Sequence, residues 1–277
     1  MRHLKWPLYI GLAGIFLVGI GLYLISTSMG GKTAVTGLRV LYQPISKPDD
    51  IHVPIGATVS PVVYTKVVSL ADLPIPEKKE KFFNMLLPTV LISKHKLNLQ
   101  IKQTRKLLDH RDLTEDEQDT LDYLMKKYRA DDGDDLLLRM QGHPISIVLA
   151  QAALETGWGS SRFFRQANNV FGVWSFSESE PRIKAHQGRN GNAVYVKKYI
   201  SLVESVDDYF LTLARGPYKD FRQARNAGGD PLEMIRHLTK YSELQGEYIN
   251  RLRNLMRRNN LTRYDDFVIN PTYLRDS

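Results

Sequence analysis

Between Pro144 and Gly157 the chain is apolar almost throughout, and a single carboxylate, Glu155, stands at the end of the run just before Gly157 and Gly159. Pro144 suits the first turn of a helix, where its missing N–H costs nothing, and the glycines supply a flexible stop. Inside these limits Ile145, Val148, Ala152 and Glu155 recur at spacings of three, four and three. The carboxyl is therefore expected on the face that the apolar stripe turns toward the core. Burial disfavours its charge and the negative end of the helix dipole adds to this, so its pKa is expected above that of a free Glu. A carboxyl kept protonated beside a cleft can give its proton to a leaving oxygen. The alternative is a partly exposed Glu that merely ends a helix.

The chain has 277 residues, enough for one large or two small domains. Residues 8–25 form an uninterrupted apolar run behind Arg2, His3 and Lys5, long enough to cross a bilayer. The basic flank is expected to stay in the cytoplasm, so residues 1–28 read as a signal anchor with the rest exported, single-pass, to the periplasm or cell exterior. A cleaved signal peptide ending at Ser26-Thr27-Ser28 is the competing reading. There is no cysteine, which excludes disulfides and thiolate chemistry. The formal charge of +8 suits anionic wall polymer or lipid head groups, and export argues against nucleic acid.

Residues 29–76 carry prolines at 44, 48, 54, 61, 74 and 76 among short Val/Ile/Tyr runs, and read as a tether or a small accessory segment. As a random coil, about fifty residues span roughly 40 Å. Residues 77–140 read as a helical N-terminal part of the exported domain. One helix is expected from 77 to 108 with a kink at Pro88, and another from a Thr114/Glu117 capping box to Tyr128. Acidic residues 131–135 lack calcium-loop spacing and read as the start of the helix 136–140. In 141–277 the pattern predicts a short helix at 163–166, a hairpin between 182 and 199 turning at 188–192, and a helix opened by a Ser201/Glu204 capping box. Two more helices are expected, at 230–237 and 245–259.

The segments Ala153-Leu154-Glu155-Thr156-Gly157-Trp158-Gly159-Ser160-Ser161-Arg162-Phe163 and Asn168-Asn169-Val170-Phe171-Gly172-Val173-Trp174 resemble the core motif of the bacterial peptidoglycan glucosaminidases, glycoside hydrolase family 73. The resemblance continues through 203–210 and 241–249, covers roughly the last two thirds of the chain, and is strongest toward a membrane-associated branch of that family. It implies a mainly α (α+β) class, a lysozyme-like helical domain with one small β-hairpin, preceded here by the transmembrane helix. It also implies a peptidoglycan substrate, with glycan strands as partner, and the general-acid role for Glu155.

Glycosidic hydrolysis needs a second group, and the only carboxylates between Gly172 and Tyr195 are Glu178 and Glu180. Each is a candidate second carboxylate, against a solvated loop charge as the alternative. An N-acetyl sugar can instead use its own acetamide, and the resemblance makes the Tyr241 hydroxyl the group to orient it, with Tyr248 as a second cleft tyrosine. Ser160 and Asn169 stand beside the acid as sugar contacts or loop ties. Trp174 and Tyr195 are candidate stacking platforms; Phe171 is a weaker one, since it and Trp158 also fit the core. Arginines on the last helix read as a solvated basic face. His143 and His186 are too isolated for a metal, so neither metal nor cofactor is expected. The alternatives to an endo-β-N-acetylglucosaminidase are lytic transglycosylase-like cleavage and a non-catalytic wall-binding or assembly module.

Overall fold

The computed structural model describes residues 37–185 and 193–274. In chain order the elements are β1 (Leu41–Pro44), β2 (Thr58–Val59), β3 (Val62–Lys66), α1 (Ile75–Asp109), α2 (Glu115–Tyr128), α3 (Gly133–Met140), α4 (Ile145–Thr156) and α5 (Arg162–Ala167). There follow β4 (Arg182–Lys184), β5 (Tyr195–Lys197), α6 (Leu202–Arg215), α7 (Lys219–Asn226), α8 (Pro231–Met234), α9 (Gln245–Arg258) and β6 (Val268–Ile269), with 3-10 turns at Ile235–Tyr241 and Leu261–Asp266. The class is mainly helical with small two-stranded sheets. Among the described residues no helix is long and apolar enough to cross a membrane. The apolar run at 8–25, the candidate cleavage residues 26–28, His186 and the turn at 188–192 lie outside the described residues.

Every residue of α4 from Ile145 to Ala153 is buried. A helix buried on all sides needs neighbours all round, and α1, α9 and the 3-10 turn at Leu261–Asp266 pack against it. Pro144 is its N-cap, not a first-turn residue, and offers no side-chain oxygen to the free N–H groups. The missing cap comes from far along the chain. Asp265 accepts from the Ser146 backbone N–H at 2.8 Å and from the Ser146 hydroxyl at 2.6 Å.

The proline-rich segment is packed down on the helices. Leu38, Ile45, Ile51, Val59, Val62, Tyr64 and Leu70 join the same buried apolar cluster as Phe82–Ile92 of α1 and the body of α4. β1 pairs in parallel with β3, and β2 in parallel with β6, which ties this segment to the chain's other end. The Tyr64 hydroxyl accepts from the His52 N–H at 2.9 Å, and burial pushes its pKa up to about 12.

The α1 helix is one continuous element of 35 residues with Pro88 inside it. Its residues from Phe82 to Ser93 are buried, and its second half borders a smaller cluster of Leu124, Tyr128, Leu136, Met140 and Ala214. The α2 capping box forms as expected, with Thr114 accepting from the Glu117 N–H and Glu117 accepting from the Thr114 N–H. The acidic run does cap α3, through Asp132 accepting from the Asp135 N–H at 2.8 Å. At α6 the box is displaced by one residue: Glu204 accepts from the Ile200 N–H, and Ser201 makes no capping bond.

Helix α7 has no apolar stripe to betray it, because arginines take core-facing positions: Phe221, Arg222 and Arg225 are its buried residues. The Arg225 guanidinium donates to the Gln141 and Leu138 carbonyls and lies 3.1 Å from the His143 ring nitrogen. Desolvation, with help from Arg222, lowers its pKa to about 10.

Asp265→Ala removes the only side-chain cap on α4 among the described residues and leaves the buried Ser146 N–H and hydroxyl unpaired. It is expected to cost about 1–3 kcal/mol in chemical denaturation, with unchanged helix content below the transition.

Candidate active site

The end of α4 is fixed by three consecutive residues with positive φ: Gly157 at 56°, Trp158 at 60° and Gly159 at 79°. Only the glycines enter this region without strain, and the tryptophan costs about 1–3 kcal/mol. Its ring recovers this by packing on Phe82 and Phe83, with centroids at 6.0 and 5.4 Å, and under the Lys79 ammonium at 4.9 Å. A Cβ on Gly159 would meet Phe82 at 3.3 Å and Phe164 at 3.4 Å. Trp158 thus belongs to the packing of the turn, as its place beside a helix end suggested.

Glu155 lies at the one stretch of α4 that reaches solvent. Its carboxyl is nonetheless crowded by protein, and desolvation raises its pKa, opposed by a hydrogen bond that the Tyr248 hydroxyl donates to Oε1 at 3.3 Å. Behind this bond stands a buried relay. Gln151, one helical turn before Glu155, donates from Nε2 to the Tyr248 oxygen at 2.9 Å and accepts from the Tyr209 hydroxyl at 2.6 Å. All three residues are buried, so no solvent replaces these bonds.

Tyr241 stacks on Tyr248 with centroids 5.6 Å apart and meets Tyr209 edge-on at 6.4 Å. Its hydroxyl has no hydrogen-bond partner among the described residues. Desolvation first, then the neighbouring Tyr248 and Glu155, push its pKa well above the usual tyrosine value, so the hydroxyl stays a proton donor. Glu155, Tyr241 and Tyr248 are thus brought together. Gln151 and Tyr209 complete the group and went unassigned in the sequence. The signal available for Gln151 was an amide in an apolar helix four residues before the acid, on the same face.

Other expected site residues are committed elsewhere. Asn169 is fully buried and its amide is consumed: Nδ2 donates to the Val173 and Lys197 carbonyls and Oδ1 accepts from the Val173 N–H. Phe171 is buried and stacks on Tyr209 at 4.0 Å, which makes it a support for the relay and not a sugar platform. The Ser160 hydroxyl turns back to the Gly157 carbonyl at 2.8 Å. Tyr195, in the β4–β5 antiparallel pair, has the Arg182 guanidinium 4.1 Å over its ring. Trp174 is 41 % exposed and Phe176, 6.2 Å away, is 87 % exposed, so these two rings form the open aromatic surface of the loop.

Glu178 points into solvent and pairs with Arg182 at 2.9 Å. Glu180 is half-buried; slight desolvation pushes its pKa up, but the Ser175 hydroxyl, the Lys197 charge and the N–H groups of Ser177 and Phe176 outweigh this and hold it below the usual Glu value. Among the described residues no group of three or more His, Asp or Glu side chains is placed to hold a metal ion.

The geometry falls within a recognised segment: residues 135–261 match the family model described as glucosaminidase, mannosyl-glycoprotein endo-beta-N-acetylglucosaminidase. These residues carry a glucosaminidase domain. The chain is 37 % identical over 95 residues to the peptidoglycan hydrolase FlgJ of Salmonella typhimurium, covering 30 % of this chain and 29 % of that protein. It is 39 % identical over 95 residues to the protein Bax of Escherichia coli K12, covering 32 % and 31 %. The matched region therefore spans about a third of the length of these two relatives. Among solved structures, the catalytic domain of the Listeria monocytogenes autolysin Auto aligns at 21 % identity and a TM-score of 0.43, covering 72 % of this chain and 98 % of that one.

A raised folded-state pKa means that native Glu155 holds its proton more tightly than the unfolded chain does. Stability is then lost as pH rises from the ordinary Glu value, about 4.3, through the raised value. Glu155→Gln escapes this loss. Its Tm relative to the unsubstituted protein is expected to move upward between about pH 4 and pH 7, read by thermal unfolding at both.

Proposed function

We propose that this chain hydrolyses the β-1,4 bond after N-acetylglucosamine in peptidoglycan, with Glu155 as general acid. One observation carries the reading: within a glucosaminidase domain, a carboxyl with a raised pKa stands at the open end of an otherwise buried helix. A protonated Glu155 gives its proton to the leaving glycosidic oxygen as the bond breaks. Tyr248 fixes the carboxyl's orientation, and the Gln151–Tyr209 relay fixes Tyr248. The lysozyme-like helical arrangement is part of the same proposal.

The second catalytic group is the substrate's own acetamide, oriented by the free hydroxyl of Tyr241. Supporting this, Glu178 is paired in solvent and Glu180 is engaged by Ser175 and Lys197. Trp174 offers an exposed ring for the apolar face of a sugar. We also propose that residues 1–28 anchor the chain in the cytoplasmic membrane with the catalytic domain outside, supported by the apolar run behind basic residues.

Glycan digestion tests the chemistry. Glu155→Gln is expected to lose about 10² or more in rate. Tyr241→Phe should lose activity to a lesser degree, while Glu178→Gln and Glu180→Gln keep most of theirs. Mass spectrometry is expected to show new reducing N-acetylglucosamine ends; 1,6-anhydro ends would mean a lytic transglycosylase, and no cleavage a binding module.

For the anchor, the full chain is expected to sediment with membranes, and removal of residues 1–28 to release a soluble, active protein. A mature N-terminus near Met29 would show a cleaved signal instead.

A further inference from the structure

A cavity of about 580 Å³ opens where residues 53–56, the start of α1 and the segment after α9 meet. That volume lies in the range of about 300–1,000 Å³ typical of ligand sites. Phe83, Tyr264 and Phe267 give it aromatic walls, and Asn84, Lys79 and Arg263 give it polar ones. Of its lining residues only Asn259 falls within 135–261, so this space is built by parts of the chain outside the matched glucosaminidase segment.

The polar groups keep hydrogen-bonding capacity to spare. Asn84 is 5 % exposed, yet its amide makes no hydrogen bond with any described residue. Pro88, four residues on, has no N–H to give the Asn84 carbonyl. The amide's own N and O are open to the cavity, so it can both donate to and accept from a ligand there. Arg263 lies 4.8 Å over the Tyr264 ring and gives one N–H to its hydroxyl, and Lys79 lies over Trp158. Neither cation has a carboxylate partner among the described residues. Among the described residues that line it Glu80 is the only acidic one, against the cations Lys79 and Arg263.

A neutral sugar uses rings and amides but has no need of two cations. A short peptide bearing free carboxylates uses all of them: cations for its carboxylates, Asn84 for a peptide group, and the rings for alanine-sized side chains. The cavity backs onto the turn that ends α4. Phe83 in its wall packs on Trp158, three residues after Glu155. We infer that this cavity binds the carboxylate-bearing peptide side chains of the wall polymer, holding a glycan strand beside the Glu155 turn. This rests on the peptidoglycan reading above.

The test is calorimetric titration of the full chain with a synthetic tetrapeptide of alanine, γ-linked glutamate, lysine and alanine with free carboxylates. Saturable one-to-one binding is expected, weakened roughly tenfold by Arg263→Gln, by Lys79→Gln, and by amidation of the peptide's carboxylates. Arg263→Lys, which keeps the charge, should retain part of the affinity, and thermal unfolding verifies the fold of each variant. Absence of saturable binding overturns the inference, as does equal affinity for the amidated peptide or in both charge-removing variants. Digestion of peptide-free glycan is measured in parallel. Binding without cleavage counts against the proposed function alone, and cleavage without binding counts against this inference alone.

Discussion

The architecture depends on burying α4 from every side. Nine consecutive residues, Ile145 to Ala153, are removed from water, and each large apolar side chain among them contributes about 1.5–3 kcal/mol. Against that total, the strain of Trp158 and the missing cap at Pro144 are small. Both defects are mended by distant parts of the chain, Phe82 and Phe83 at one end and Asp265 at the other. The helix is thereby a fixed post, and whatever stands at its open end is held with the rigidity of the core.

What stands there is Glu155. Its setting opposes two effects on one carboxyl, desolvation raising the pKa and the Tyr248 hydroxyl lowering it, and desolvation prevails. The hydrogen bond then serves chiefly to aim the group. Because Tyr248 is itself held by Gln151, and Gln151 by Tyr209, the aim is transmitted from the interior. Phe171 stacked on Tyr209, and Asn169 clamping the Val173 and Lys197 backbone, steady the loop that follows.

The place of Glu155 and the helix carrying it were legible because apolar spacing and the glycine stop are local signals, and so were the Thr114 box and the β4–β5 pair. Helix α7 was not, since buried arginines replace the apolar periodicity that marks a helix. The packing of residues 38–70 was legible only as one of two readings, because prolines disclose turns but not the partners of the short strands, and β2 pairs with a strand about two hundred residues away. Asn169 and Phe171 stand near Glu155 in sequence, but their side chains face inward, which proximity in sequence does not disclose. The role of Gln151 is not legible in the sequence, because an amide in an apolar run has meaning only once its partners are known, and those lie on α6 and α9.

Crowding by the protein keeps the Glu155 carboxyl protonated to higher pH than an ordinary glutamate. Carbon NMR titration of side-chain-labelled glutamate, with Glu155→Gln to assign the resonance, reads this directly. The expected midpoint lies clearly above the ordinary value of about 4.3. A midpoint at or below that value would mean that burial does not hold the proton on Glu155.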